Sequence, residues 1–293
     1  MDRVRSSSGE LDLQDITLIK NDDSDLEYFS AERMRDSVLI IRDIYLVKKW
    51  LGKGKFGVVY QAVDITDDQP VAIKVEKADA EYSSIKHEVR IMNYLFQHKF
   101  RELPKIHWYG VHSGLTYLVM CYYDQCLESL EHLSTDHIRQ CIHILKSIHA
   151  IFVIHRDIKP QNFMLRNNKL FLIDYGLATF FVDEEGEHVP NKKQAMITGT
   201  PKFVSYYNHI GHTLSRRDDL ISLGYLFFYM MNKKRVPWSM PSGPDALRIT
   251  KMKTWENISI LTQGVSPLHE YMKYCYNLEY DDDPDYDYLS ALF

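Results

Sequence analysis

Only four cysteines, Cys121, Cys126, Cys141 and Cys275, occur in 293 residues, and no two form a C-x-x-C pair. This argues against a disulfide framework or a zinc site, and for reduced thiols in a cytosolic or nuclear protein. The thirteen histidines show no H-E-x-x-H spacing either. No apolar run is long enough to cross a bilayer. The longest, residues 220–231, is interrupted by Ser222 and Gly224 and reads as a buried helix. The N-terminus is polar and acidic where a secretory signal needs an apolar stretch. Excess charge of one sign is also lacking. With a net charge of −5 and a pI near 6.2, no nucleic-acid or membrane signature exists, and an anionic partner would have to meet a local basic patch.

The length suits one large domain or two lobes. Residues 1–40 are rich in Ser and Asp and read as a flexible or loosely docked extension. From Ile44 onward, short β-rich runs at 44–47, 58–63 and 71–75 are separated by Gly-rich or Asp-rich turns, which predicts an antiparallel meander. Residues 82–96 carry Ile85, Val89, Met92 and Phe96 at helical spacing, and two more strands are expected at 106–111 and 116–120. Beyond Cys121 the pattern becomes helical, with candidates at 127–133, 135–149, 218–231 and 266–277. The expected class is α+β: a small antiparallel β-lobe with one helix (about 41–120), a join at 121–126 and a larger helical lobe (127–293).

Glycines at 52, 54 and 57 in Leu51-Gly-Lys-Gly-Lys-Phe-Gly would let a turn lie close over phosphates. The spacing also occurs in dinucleotide-binding folds, but there the glycines join a strand to a helix, and here a β-rich run follows. Lys74 stands inside the apolar run Val71-Ala-Ile-Lys. Such a lysine needs a paired ammonium or a route to solvent, and Glu88 on the amphipathic helix is the candidate carboxylate. The decisive cluster is Ile154-His-Arg-Asp-Ile-Lys-Pro-Gln-Asn-Phe-Met, followed by Leu172-Ile-Asp-Tyr-Gly. In-line phosphoryl transfer needs metal ligands, a carboxylate at the attacking hydroxyl and a cation at the transferred group. Asp157, Lys159, Asn162 and Asp174 supply that set in two neighbouring loops.

These motifs resemble the protein kinase signature, from about Ile41 to the last residue. The resemblance implies a bilobal fold and transfer of the ATP γ-phosphoryl group with Mg²⁺. Asp157 would orient or deprotonate the acceptor hydroxyl, Lys159 would stabilise the γ-phosphate, and Asn162 and Asp174 would hold the metal. Lys74 would contact the phosphates and pair with Glu88. Leu51, Gly52, Gly54, Gly57, Val59 and Ala72 would cover the nucleotide, Met164 would lie beneath it, and Met120 and Tyr123 would line the adenine side. Lys159 and Thr200 favour serine or threonine as acceptor. A nucleotide-binding scaffold without transferase activity is the rival, and it has no chemical need for all four polar residues.

Finer marks resemble the casein kinase 1 group. Thr198-Gly-Thr-Pro-Lys-Phe-Val-Ser stands where most kinases carry A-P-E, and Leu214-Ser-Arg-Arg-Asp-Asp-Leu-Ile-Ser-Leu-Gly-Tyr is similar to that group's helix start. Asp219 matches the buried acid that braces the catalytic loop. Tyr175 in place of the usual Phe is shared with the vaccinia-related kinases, but His155-Arg-Asp-Ile-Lys-Pro fits casein kinase 1 better. The hinge departs from the group at Cys121, Asp124 and Gln125. The resemblance implies protein substrates with acidic or pre-phosphorylated sites, read by Lys202 with Arg216 or Arg217. Ser239-Met-Pro-Ser-Gly replaces a customary lysine there, so Arg248 or Lys251 would have to substitute. It further implies a constitutively active monomer of the cytoplasm or nucleus. The sequence stops at Phe293, short of where the resembling domains end their last helices, and it lacks the long C-terminal tail that inhibits some relatives, so tail autoinhibition is not expected.

Overall fold

The computed structural model describes residues 39–54, 57–78, 83–239 and 246–293, so the expected extension lies outside the described residues except for its last two positions. Two compact units are present. One comprises 39–83 and Ile106–Tyr122, the other Ser84–Lys105 and Tyr123–Phe293.

The first unit is one antiparallel sheet: β1 (Ile40–Ile41), β2 (Tyr45–Gly54), β3 (Gly57–Asp64), β4 (Gln69–Lys77), β5 (Ile106–His112) and β6 (Leu115–Cys121). Their order is β1-β2-β3-β4-β6-β5. Alternation decides which face is buried. Val58, Tyr60 and Ala62 of β3, Val71, Ile73 and Val75 of β4, and Tyr117 and Val119 of β6 form one core. These β-branched and aromatic side chains suit a pleated surface. The β2–β3 turn needs glycine at its exit. Gly57 has φ +142°, and a Cβ there would lie 2.2 Å from the Val75 carbonyl oxygen.

The second unit contains α1 (Ser84–Gln97), β7 (Gln125–Cys126), α2 (Thr135–His149), β8 (Val153–Ile154), β9 (Phe163–Arg166), β10 (Lys169–Leu172), β11 (Thr179–Phe180), α3 (Tyr206–His209), α4 (Arg216–Met231), α5 (Ala246–Met252), α6 (Trp255–Thr262), α7 (Ser266–Asn277) and α8 (Tyr286–Ala291). Ser134 starts α2 by accepting the His137 amide proton, and Ile138, Cys141, Ile142, Leu145 and Ile148 form its buried face. α4 is buried on nearly every side, which explains why its sequence is an apolar run rather than an amphipathic stripe. The Asp218 carboxylate reaches back to the Ser215 amide at 2.9 Å and closes its first turn.

Two expectations need correction. Residues 127–133 form only one 3₁₀ turn, Leu127–Ser129, because Leu130 is extended and Ser134 restarts the chain as the cap of α2. Phe96 does not join the buried stripe of α1. It is exposed, and the Arg101 guanidinium covers it at 4.1 Å.

Candidate active site

The centre of the second unit is the loop after β8. Asp219, in the first turn of α4, accepts the His155 amide proton at Oδ2 (2.7 Å) and the Arg156 amide proton at Oδ1 (2.9 Å). These bonds hold Arg156 in the left-handed region, φ +67°, a conformation that costs energy in a residue with a Cβ. His149, the last residue of α2, meets Asp219 Oδ2 through Nε2 at 3.1 Å, and its Nδ1 meets the Tyr286 hydroxyl at 2.6 Å. Burial alone would raise the Asp219 carboxyl. Its hydrogen bond and charge interaction with His149, together with His155, outweigh that and hold the pKa low. Burial pushes the His149 pKa down. Through its two ring nitrogens His149 thus links Asp219 to Tyr286.

The same loop presents Asp157. Its Oδ2 accepts from Lys159 Nζ at 2.6 Å, while its Oδ1 accepts from the Thr200 amide (2.9 Å) and hydroxyl (2.7 Å). Lys159 Nζ also reaches Thr200 Oγ1 at 3.3 Å. Asn162 Nδ2 donates to the Asp157 carbonyl at 2.9 Å, and the Ile173 amide donates to the Asn162 carbonyl at 2.9 Å. His155 supports the loop from below: Nδ1 accepts the Asp157 amide proton and Nε2 faces the Ile173 carbonyl at 3.0 Å. The structure therefore brings Asp157, Lys159, Asn162 and Thr200 together.

Approach of the 199–200 backbone to this loop requires glycine. Gly199 has φ +101°, and a Cβ there would sit 2.5 Å from the Arg156 carbonyl oxygen. Asp174 is also left-handed, φ +65°. The next amide, Tyr175, donates to Glu88 Oε1 of α1 at 3.1 Å, and His87 Nε2 meets the Ala178 carbonyl at 2.7 Å. Two consecutive α1 side chains thus hold the segment from Tyr175 to Ala178 at both ends. Tyr175 is fully buried, edge-on to His155, and its hydroxyl has no hydrogen-bond partner among the described residues.

Asn162 and Asp174 combine an amide oxygen with a carboxylate. This hard oxygen pair fits a divalent cation that takes its remaining ligands from phosphate and water. Asn162 suits the part because its nitrogen is committed to the Asp157 carbonyl, which leaves the oxygen as the ligating atom. Met164 lies on β9, opposite Phe171 of β10 and Cys126 of β7. Tyr123 packs on Phe171 at 5.0 Å between ring centroids.

The nucleotide-side residues expected in the first unit share one sheet face. Gly52 pairs with Val59, Val59 with Lys74, and Ala72 with Met120, and cross-strand partners project to the same side. That side is opposite the core of Tyr60 and Ile73. The glycines span a hairpin, with Gly54 opposite Gly57, which is incompatible with the strand-to-helix turn of a dinucleotide fold. Lys74 is buried and Leu51 is exposed.

The basic residues proposed to read acceptor charge are dispersed. Lys202 Nζ lies over the rings of Tyr229 (4.8 Å) and Phe203 (5.7 Å). Arg216 pairs with Asp283 at 3.0 Å and covers Phe181. Arg217 is buried, stacked 3.5 Å over Tyr207 and bonded to the Leu278 carbonyl; its guanidinium serves internal packing. Lys251 is exposed, whereas 240–245 and the Arg248 side chain lie outside the described residues. Sequence reasoning passed over His149, Tyr286 and Lys253. A polar residue among apolar neighbours is a signal for the first, but its partners, like those of Lys253, are far along the chain.

Among the described residues no helix is long and apolar enough to cross a membrane. Comparison with protein families finds that the model described as protein kinase domain matches residues 45–279.

Proposed function

The chain belongs to the protein kinase domain family, and from that premise we propose that it is a serine/threonine kinase of the casein kinase 1 type. Membership itself makes it a phosphotransferase acting on protein with ATP and a divalent metal. Magnesium is the metal we assign, held by Asn162 and Asp174, because paired oxygen donors completed by phosphate are its usual setting. When bound, the metal would offset negative charge on the phosphates.

One observation carries the acceptor assignment: Asp157, Lys159 and Thr200 form a closed hydrogen-bonded triangle. Asp157 Oδ2 is the atom to receive an acceptor hydroxyl proton, and Lys159 stands beside it to meet charge on the transferred group. The Thr200 hydroxyl orients Asp157 through its other oxygen. A lysine two residues after the carboxylate and a threonine facing it support serine and threonine as acceptors. The casein kinase 1 assignment draws support from the string Ser215 to Tyr225, whose Asp219 braces the loop. Acidic or primed acceptors, read by Lys202, and a monomeric state belong to the same proposal.

Transfer of label from Mg-ATP to casein, and to paired peptides with and without an upstream phosphoserine, tests this directly, with Asp157→Asn as control. Serine or threonine labelling that vanishes in the variant supports the assignment, and preference for the primed peptide supports the basic reader. Tyrosine labelling, or ATP binding without transfer, overturns it.

A further inference from the structure

Lys253 follows α5 and is fully buried, with no carboxylate against it among the contacts of its ammonium. Its Nζ donates to the Val204 carbonyl at 2.6 Å and the Pro201 carbonyl at 3.0 Å, and meets His209 Nε2 at 3.3 Å. The rings of Tyr225 and Trp238 lie 4.7 and 5.4 Å away. Three acceptors match three N–H bonds, and two aromatic faces stand in for part of the lost hydration. Burying a lysine is expensive, and here both backbone carbonyls that its ammonium holds belong to one short stretch.

That stretch runs from Thr200 to Val204. Thr200 is bonded to Asp157 at one end. The Thr200 carbonyl accepts the Phe203 and Val204 amides at 2.8 and 3.0 Å, and the Lys202 carbonyl accepts from Trp238 Nε1 at 2.8 Å. At the other end the Ser205 hydroxyl donates to Asp218. Thr200 occupies one oxygen of the carboxylate whose other oxygen is assigned to the acceptor hydroxyl, which sets this segment beside the place where an acceptor chain would lie.

We propose that Lys253 is a positioning residue for acceptor recognition: its ammonium, with the indole of Trp238, fixes the carbonyls of Pro201, Lys202 and Val204 and so shapes the surface on which the acceptor polypeptide lies. This rests on the kinase reading above. The support of Lys253 is itself fixed, since Tyr276 donates to the Lys253 carbonyl at 2.7 Å and shares a hydrogen bond with Tyr225. The side-chain contacts of Lys253 are with Pro201, Val204, His209, Tyr225 and Trp238, none of them assigned to ATP or metal, so its main effect should fall on the acceptor.

The test uses the full chain with casein as acceptor, comparing wild type, Lys253→Met and Trp238→Phe. Three quantities are read: KM for casein, KM for ATP, and ATP hydrolysis without acceptor, in which water replaces the protein hydroxyl. Lys253→Met is expected to raise the casein KM about tenfold or more, with ATP KM and acceptor-free hydrolysis within about twofold of wild type. An unchanged casein KM, or a parallel loss of hydrolysis and transfer, overturns the proposal. If Lys253→Met does not fold, Trp238→Phe decides: a casein KM raised about threefold supports it, and none refutes it. A wild type that transfers to no acceptor while the chain is folded overturns the kinase reading, and the proposal with it.

Discussion

Asp219 stands 64 residues beyond His155, yet its carboxylate holds the amides of both His155 and Arg156. One buried side chain therefore imposes the left-handed turn that aims Asp157. Asp219→Asn keeps the shape but turns a charged acceptor into a neutral group with an N–H₂ facing two N–H groups. Charge-assisted bonds of this kind contribute about 1.5–3 kcal/mol. A fall in Tm of roughly 4–10 °C is expected for a domain of this size, with kcat down about 10–100-fold. Calorimetry and steady-state rates check this, and an unchanged kcat would show that the turn survives without Asp219.

Thr200 grips Asp157 with both its amide and its hydroxyl. Thr200→Val removes the hydroxyl and keeps the amide bond and the branched shape. About a tenfold loss in kcat is expected, with the ATP KM unaltered. Gly199→Ala should be far more damaging, because its Cβ would meet the Arg156 carbonyl at 2.5 Å in a backbone region unsuited to alanine. Circular dichroism and initial rates on both variants distinguish lost orientation from lost structure.

Tyr175 carries a buried hydroxyl with no hydrogen-bond partner among the described residues, and such a group costs about 1–3 kcal/mol. Tyr175→Phe should therefore stabilise the protein, raising Tm by roughly 2–4 °C per kcal/mol recovered. Thermal unfolding measures it directly, and a lower Tm in the variant would mean that the hydroxyl has a partner in solution.

His209 introduces a pH dependence. Burial first, and the Lys253 charge second, push its pKa down from 6.5 to about 4. The unfolded chain binds this proton more readily, so the stability it confers is complete above about pH 6.5 and is lost as pH falls towards 4. The ring is partly exposed, and solvent screening reduces the effect to the order of 1–2 kcal/mol. His209→Gln, which offers an acceptor oxygen and no titration, should show a shallower fall in Tm between pH 7.5 and 5 than wild type. Parallel curves would remove His209 as the titrating group.

What was legible in the sequence follows from how far apart the interacting residues lie. The strands of the first unit were readable because alternation is local, as in Val58-Val-Tyr-Gln-Ala. Asp157, Lys159 and Asn162 were readable because six consecutive residues hold all three. The helix expected at 127–133 failed because periodicity does not register that Ser134 caps a new helix. Arg216 and Arg217 looked alike, but one pairs with Asp283 and the other is buried over Tyr207; only tertiary packing separates them. Lys253 was invisible as a support because the carbonyls it holds lie about fifty positions upstream.

The Tyr286–His149–Asp219 chain of hydrogen bonds has a consequence for biosynthesis. All three groups must exist before the turn at Arg156 is fully braced, and Tyr286 is translated 129 residues after Asp157, taking 286 minus 157. A nascent chain halted between Asp219 and α8 would carry Asp157, Lys159, Asn162, Asp174 and Thr200 and still lack the outermost support of the turn at Arg156. The fold thus ties the full bracing of the Arg156 turn to the making of α8.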